Sequence, residues 1–167
     1  VELATGPVVA LNVHLTSDHS RAAVRTRAAQ LEAVGELTRR TAGPLVVAGD
    51  FNCNTEGPLL DLDDVWLAMH HAETPTYDPT ANPLAAIFSR SGRPTRLDRM
   101  LVRGLYGHGI HRLGLHPDED TWLSDHFGLC ATLSPRPPAD VFAGEPSVRS
   151  ALAWVPAEAD AIQAVRA

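Results

Sequence analysis

A strand–helix–strand pattern at the start of the chain limits its fold more than any other feature. Residues 8–15 are mainly apolar and predict a strand. Asp18 or Ser20 can cap a helix that runs to about Arg40, and a glycine–proline pair ends that helix. The apolar run 45–48 predicts the second strand. Strands joined by a helix through short links form a parallel crossover, so we expect both strands to end at one edge of the same sheet.

Gly49-Asp50-Phe51-Asn52 follows the second strand and carries the strongest chemical signal. Because side chains alternate along an extended chain, we expect Asp50 and Asn52 to project to one side and Phe51 into the core. A carboxylate and a carboxamide at a sheet edge can accept a proton from water and donate to a phosphoryl oxygen. Taken alone, these residues are equally well explained by an Asx turn that caps the strand.

The first strand brings a second polar motif to the same edge. Asn12 and His14 are two residues apart, so they share one face of that strand. The crossover directs His14 towards Asp50 and Asn52, beyond the carboxyl ends of the strands, where sites form in such folds. A lone histidine at a strand end is more often structural, so this motif gains weight only together with the others.

His126 is a third candidate, in the motif Ser124-Asp125-His126. A histidine donates best to developing charge when an acceptor holds its second ring nitrogen. Asp98 is the candidate acceptor, because it begins a predicted strand 97–102 that we expect to pair with the predicted strand 127–133. The alternative is that these side chains are ordinary surface charges and turn caps.

Size and composition are those of a folded protein. A chain of 167 residues with 44% hydrophobic and 20% charged residues can form one domain with a substantial core. No apolar stretch approaches a membrane span and no leader is present, so we expect a cytoplasmic protein without a membrane partner. Cys53 and Cys130 are too few for a disulfide scaffold. The net charge of −6 argues against a broadly basic nucleic-acid clamp but is compatible with a phosphate site balanced by a metal.

Three segments are predicted along the chain. They are a main domain over 1–134, a proline-rich linker over 135–149, and a last segment over 150–167 with a strand at 150–155 and a helix at 157–166. The last segment is expected either to begin a second domain or to pack on the first as a tail. The absence of an initial methionine suggests a piece of a longer protein, and the oligomeric state is not indicated.

The polar motifs occur along the chain in the order N-x-H-L, G-D-F-N, T-Y-D, R-L-D-R and S-D-H. Together they resemble the endonuclease/exonuclease/phosphatase superfamily, which has the DNase-I-like fold, over roughly residues 8–133. Within it, the chain is most similar to tyrosyl-DNA phosphodiesterase 2-like bacterial members, at residues 27–31, 64–66, 76–78 and 96–99. Tyr77 stands where that subfamily typically has tryptophan.

The resemblance implies a catalytic set, a substrate-binding set and a metal site. The implied catalytic residues are His14, Asp50, Asn52, Asp98 and His126. The implied substrate-binding residues are Asn12, Tyr77 and Arg99. The implied cofactor is Mg²⁺ or Mn²⁺, with Asp50 and Asp125 as ligands.

The same resemblance implies how these residues act. A bound cation would neutralise the phosphate and stabilise the leaving oxygen, and Asp50 would orient or deprotonate the attacking water. Asn52 and His126 would donate to the non-bridging oxygens as charge builds. Asp98 would hold the His126 tautomer, and His14 would contact the phosphate from the other side.

The principal metal ligands of the superfamily are an asparagine and a glutamate in the half of its domain that precedes the N-x-H-L strand. Nothing in residues 1–11 matches them, and Glu2 lies in a different context. We therefore expect an α/β chain that forms the second half of a DNase-I-like α/β sandwich. Alone, this half is expected to show little or no activity.

The resemblance implies a metal-dependent phosphodiester hydrolase that acts on nucleic-acid ends or nucleic-acid–protein linkages, with nucleic acid as its partner and a role in DNA repair. Residues 150–167 resemble the opening of a 2H phosphoesterase domain found beside such nucleases, which favours nucleic acid. The acidic charge favours a small phosphorylated substrate, such as an inositol phosphate, a nucleotide or a phospholipid headgroup. A third alternative is a non-catalytic half-domain that serves as an interaction module.

Overall fold

The computed structural model describes residues 2–3, 6–53, 59–117, 121–135 and 162–165. The strands in these ranges are β1 (Glu2–Leu3), β2 (Gly6–Pro7), β3 (Val9–His14), β4 (Leu45–Asp50), β5 (Asp63–Asp64), β6 (Asp98–Arg103), β7 (Leu105–Leu113), β8 (Gly128–Pro135) and β9 (Ile162–Val165). The helices are α1 (Arg21–Arg40), α2 (Val65–His70) and α3 (Pro83–Phe88). None of these described helices has the length and apolar character needed to cross a bilayer.

β3 and β4 are parallel neighbours joined by α1, which confirms the predicted crossover. His14 lies opposite Asp50 in the register of this pair, at the carboxyl end of both strands. The Ser20 side chain accepts a hydrogen bond from the backbone N–H of Ala23 at 3.1 Å and caps the first turn of α1. The larger sheet continues from this pair in the order β3-β4-β6-β5.

Two apolar clusters lie on opposite faces of the larger sheet and create a layered core. On one face, Leu45, Val47 and Leu101 pack beneath α1. On the other face, Val46 and Met100 pack towards the smaller sheet, which has the order β7-β8-β9. Each fully buried side chain of this size stabilises the fold by roughly 1.5–3 kcal/mol. A helix layer and two packed sheets confirm the predicted α/β sandwich.

β6 and β8 do not pair, so the predicted pairing of 97–102 with 127–133 is wrong. β6 lies between β4 and β5, antiparallel to both, whereas β8 pairs with β7 and β9. β4 pairs along one whole edge of β6, β5 pairs with Leu101 and Val102 on the other edge, and the strand is almost entirely buried. Gly104, at a φ of +67°, turns the chain directly from β6 into β7, and β7 then takes the edge of β8.

The predicted helix over 157–166 is wrong where the structure describes it. Ile162–Val165 forms β9, which pairs antiparallel with β8. An uncovered edge of β8 would expose unpaired backbone groups, so strand pairing prevails here over the local helix preference. Pro135 is the last residue of β8, and the rest of the predicted linker and the predicted strand 150–155 lie outside the described residues.

Gly49 lies where β3 and β4 approach each other closely. Its φ is +137°, and a Cβ there would lie 2.0 Å from the carbonyl oxygen of Val13. We expect Gly49→Ala to lower the free energy of unfolding by roughly 2–5 kcal/mol, because the clash and the positive φ both oppose a side chain. Urea denaturation measures the loss.

Gly43→Ala is the matched control for this prediction. Gly43 also has a positive φ, +78°, but a Cβ there meets nothing within 4 Å. Its substitution should therefore cost only about 1–2 kcal/mol, the backbone contribution alone. Equal losses for the two variants would show that the close approach of the strands is unimportant.

Candidate active site

An open cleft of about 830 Å³ lies where the carboxyl ends of β3 and β4 meet the segment that precedes β8. Seven of the predicted site residues line it, namely His14, Asp50, Asn52, Tyr77, Asp98, Asp125 and His126. These residues lie far apart in the sequence and are brought together only by the fold. The two remaining predicted residues, Asn12 and Arg99, are not among the residues that line this cleft.

Asp50 and Asp98 face each other across an antiparallel strand pair. They are register partners in β4 and β6, and only 4% and 3% of their surfaces are exposed. Burial raises the pKa of Asp50, and the neighbouring Asp98 raises it further, whereas the backbone N–H of Asn52 and two nearby histidines oppose this shift. A carboxyl group with a raised pKa at the end of a strand is suited to accept a proton.

Asn52 orients the Asp50 carboxylate. Its φ is +48°, and its backbone N–H donates to Asp50 Oδ1 at 2.7 Å. Its Nδ2 donates to Asp50 Oδ2 at 2.9 Å and to the Leu15 carbonyl oxygen at 2.8 Å. The Asx turn considered as an alternative is therefore present, and it is what holds the carboxylate. Because both amide hydrogens are engaged within the protein, Asn52 acts here as a support for Asp50.

His14 lies beside Asp50 at the rim of the cleft. Its Nε2 is 3.7 Å from Asp50 Oδ2, and 74% of its side chain is exposed. The parallel register of β3 and β4 places it there. Asn12, two residues earlier, lies on an exposed part of β3 and outside the cleft lining. The structure thus brings His14 to the carboxylate pair and leaves Asn12 away from it.

His126 is held by Asp98 through a short hydrogen bond, with Nδ1 and Oδ2 separated by 2.6 Å. Burial disfavours the charged ring, but the hydrogen bond that the ring donates to Asp98 and the charges of Asp98, Asp50 and Asp125 outweigh burial and raise the pKa of His126 above its usual 6.5. Since Nδ1 is engaged, Nε2 is the ring nitrogen left for a substrate. His126 is therefore suited to donate a proton or a hydrogen bond near neutral pH.

Tyr77 packs against His126 and links it to α3. The two ring centroids are 5.1 Å apart, and Tyr77 forms single β-bridges with Thr95 and with His126. The Tyr77 hydroxyl donates to the carbonyl oxygen of Ala85, within α3, at 2.9 Å. The hydroxyl that distinguishes this residue from tryptophan is therefore used to fix the wall of the cleft.

Arg99 lies in the core and not in the cleft. Its side chain is 1% exposed, and its Nη1 is 3.4 Å from Asp64 Oδ2. The same oxygen accepts a hydrogen bond from Arg96 Nη1 at 2.9 Å, and Arg96 also pairs with Glu73. Because neighbours in a strand face opposite sides, Asp98 and Arg99 cannot both reach the cleft. This location does not support the predicted substrate contact of Arg99.

Several cleft residues lie outside the motifs that the sequence highlights, and three of them add charge or apolar surface. Arg90 and Arg93 belong to the loop after α3 and add positive charge to a cleft with an acidic floor. Phe88, the last residue of α3, lines the same wall and is 67% exposed. The sequence feature that could have predicted a basic cleft wall is the short loop with two arginines and a glycine just before the R-L-D-R motif.

Asp50, Asp98 and His126 form a group that fits a divalent cation. Each offers one ligand atom, these atoms lie within 4.8 Å of one another, and this is the one such group in the described part of the chain. Mg²⁺ is commonly bound through one or two carboxylates and keeps several waters. Because His126 uses Nδ1 for Asp98, the donor set fits a cation held by carboxylate oxygens. Asp125 lines the cleft but is not in this group.

Comparison with known proteins places this geometry in a family. The sequence profile of the Endonuclease/Exonuclease/phosphatase family matches residues 1–126. D. rerio TDP2, solved in complex with a single-strand DNA product, is 22% identical with a TM-score of 0.64, over 75% of this chain and 55% of that chain. TDP2 from Caenorhabditis elegans is 26% identical with a TM-score of 0.60, over 75% of this chain and 41% of that chain.

A bacterial structure has the same fold. The endonuclease/exonuclease/phosphatase from Beutenbergia cavernae DSM 12333 is 21% identical with a TM-score of 0.50, over 82% of this chain and 45% of that chain. No curated protein matches the chain in sequence. The chain spans about half the length of the solved proteins that it matches. The family profile covers most of the sequence and the solved structures share its DNase-I-like fold, so the chain belongs to the endonuclease/exonuclease/phosphatase family.

Proposed function

We propose that this chain carries the phosphate-activating half of a divalent-cation-dependent hydrolase, which cleaves phosphodiester bonds at nucleic-acid ends or in nucleic-acid–protein linkages. The observation that carries the proposal is the Asp98–His126 pair, joined at 2.6 Å and grouped with Asp50 at the cleft floor. This arrangement sets a proton donor beside a proton acceptor, which hydrolysis of a phosphodiester requires. Membership of the family supports a hydrolase of this type.

Asp50 orients the attacking water and accepts its proton. Burial and the opposed Asp98 raise the pKa of Asp50, which makes its carboxylate a better base than an exposed one. Asn52 contributes by holding both oxygens of that carboxylate. The oxygen atoms therefore keep a fixed direction towards the cleft, and no reorganisation is needed when water attacks.

His126 and His14 stabilise the charge that builds on the phosphoryl oxygens. His126 donates from Nε2, because Asp98 holds Nδ1 and keeps the ring in one orientation. His14 donates from the exposed rim on the other side of Asp50. Asp50 would hold a bound Mg²⁺ or Mn²⁺, which would neutralise charge on the phosphate. Asp125, which lines the cleft outside the Asp50–Asp98–His126 group, is the second ligand that we propose in this chain.

Nucleic acid is the substrate class that the cleft supports best. Arg90 and Arg93 supply positive charge next to the proposed phosphate site, and the exposed Phe88 ring offers a surface on which a base can stack. A TDP2 structure with the same fold contains a single-strand DNA product. We also propose that the protein acts in the cytoplasm on DNA ends that need repair.

A small phosphorylated molecule is the second candidate substrate. The net charge of −6 favours it, because a long polyanion would be repelled by most of the surface. A panel of single-stranded DNA, RNA, nucleotides and an inositol phosphate, tested on the full-length protein, separates the two classes. If no member of the panel is hydrolysed, the interaction-module alternative remains.

His126→Ala is expected to lower kcat on the order of 10²–10³-fold in the full-length protein with Mg²⁺, because one donor to the transition state is lost. His111→Ala is the matched control, since His111 is exposed on β7 and makes its ring hydrogen bond to the carbonyl oxygen of Gly109. The control should keep the wild-type rate. Equal rates for all three proteins would mean that the site is misassigned.

The 167-residue chain alone is expected to be nearly inactive on the same substrates, because nothing in residues 1–11 matches the asparagine and the glutamate that are the principal metal ligands of the superfamily. The measurement is hydrolysis with and without Mg²⁺ at matched concentrations of the chain and the full-length protein. Metal-dependent activity of the chain that Asp50→Ala abolishes would overturn this expectation.

Asp98→Asn is expected to move the alkaline fall of kcat to lower pH. His126 donates while protonated, so the rate falls as the pH rises through its pKa, which Asp98 raises despite burial. The variant removes the charge of Asp98 and weakens its hydrogen bond, so the pKa of His126 drops and the fall begins earlier. Profiles of kcat against pH from about 5 to about 9 measure the shift. An unmoved alkaline limb would exclude His126 as the titrating donor.

A further inference from the structure

Thr76 joins the two chain segments that carry Asp98 and His126. It is buried, with 1% of its surface exposed. Its hydroxyl oxygen accepts hydrogen bonds from the backbone N–H groups of Leu97, at 3.1 Å, and Asp98, at 2.9 Å. Its carbonyl oxygen accepts a hydrogen bond from the backbone N–H of Phe127 at 2.7 Å. One residue therefore contacts the backbone of Asp98 and the residue that follows His126.

This link is needed because the two segments belong to different sheets. Asp98 begins β6 in the larger sheet, and His126 precedes β8 in the smaller one. β6 and β8 share no strand pairing, so ladder hydrogen bonds do not set the distance between them. Thr76 and the β-bridges of Tyr77 supply backbone hydrogen bonds across this gap.

We infer that Thr76 is a positioning residue, whose hydroxyl sets the placement of the Asp98 carboxylate against the His126 ring. The inference rests on the proposed function only in treating this pair as catalytic. The buried N–H of Asp98 and the partly buried N–H of Leu97 share one hydroxyl oxygen, and a buried donor whose acceptor is removed is costly. When the hydroxyl is lost, the start of β6 should shift to find another acceptor, and the 2.6 Å contact between the two side chains should lengthen.

A second buried threonine, Thr38, has a hydroxyl that does not link separate segments of the chain. Thr38 is also 1% exposed, but its hydroxyl donates to the carbonyl oxygen of Gly35 within α1. That bond lies within one helix and joins no separate segments. Thr38→Val is therefore a matched control for the loss of a buried hydroxyl, and Thr76→Ser is the variant that keeps the acceptor.

The test is NMR of the 167-residue chain with ¹⁵N-labelled histidine, at a fixed pH where the neutral ring predominates. Wild type should show His126 protonated on Nδ1 with a strongly downfield proton, and His126→Gln assigns the signals. Thr76→Val should lose the downfield proton or populate the other tautomer. Thr76→Ser and Thr38→Val should keep the wild-type signal. A folded Thr76→Val protein with an unchanged His126 signal would overturn the inference.

If Thr76→Val does not fold, amide hydrogen exchange of the wild-type protein still tests the inference. The amides of Leu97, Asp98 and Phe127 share Thr76 as acceptor, so their protection factors, which correct each exchange rate for its intrinsic rate, should agree within about threefold, as expected for one opening event. Protection factors of Asp98 and Phe127 that differ by more than about tenfold would contradict a shared opening at Thr76. Neither measurement uses a substrate, so a failure of the proposed function would not be mistaken for a failure of this inference.

The full-length enzyme gives a kinetic readout. Thr76→Val should lower kcat on the order of 10–100-fold with little change in KM, because the donor is misplaced while the substrate surface is intact. Thr76→Ser should restore most of the rate. A loss confined to KM would indicate a substrate contact and contradict a positioning role.

Discussion

The opposed carboxylates of Asp50 and Asp98 are the constraint on which the rest of the site depends. Like charges directly across an antiparallel pair destabilise a sheet, and both side chains are buried. The surrounding groups offset this repulsion on each side: Asn52 binds the first carboxylate, and His126 binds the second. A pair that opposes folding is thus kept at the strand ends, where it contributes to the raised pKa values of Asp50 and His126.

The two sheets contribute different parts of this arrangement. The larger sheet holds Asp50 and Asp98 through regular strand pairing, so their separation is a property of the ladder. His126 comes from the smaller sheet, and its position depends on packing between sheets and on the short Thr76–Tyr77 connection. The register of β4 and β6 therefore sets the positions of Asp50 and Asp98, whereas contacts between the two sheets set the position of His126. The proposed cation ligand Asp50 and the proposed donor His126 are therefore held by different parts of the structure.

The sequence predicts most of what local pattern controls. The β3–α1–β4 unit follows from apolar periodicity and a serine cap, and this unit brings His14 to Asp50. The pairing of the other strands was not predictable, because the sequence of an apolar strand such as β6 does not show with which strands it forms hydrogen bonds. The buried position of Arg99 could have been read from strand alternation next to Asp98. The T-Y-D motif includes Thr76, but the contacts of this residue with Leu97 and Asp98 could not be predicted, since only the fold shows which backbone groups need an acceptor.

Because a tight turn at Gly104 joins the two sheets, the geometry of the site depends strongly on the angle between them. The turn joins the sheets at the end of β6 that is remote from the cleft, so it acts as a fixed corner. Asp98 lies at the far end of that strand, about 20 Å away at 3.3 Å per residue. At that distance from the turn, a change of about 3° in the angle between the sheets displaces the strand ends by about 1 Å. Small changes in core packing are therefore magnified at the contact between Asp98 and His126, far from where they occur.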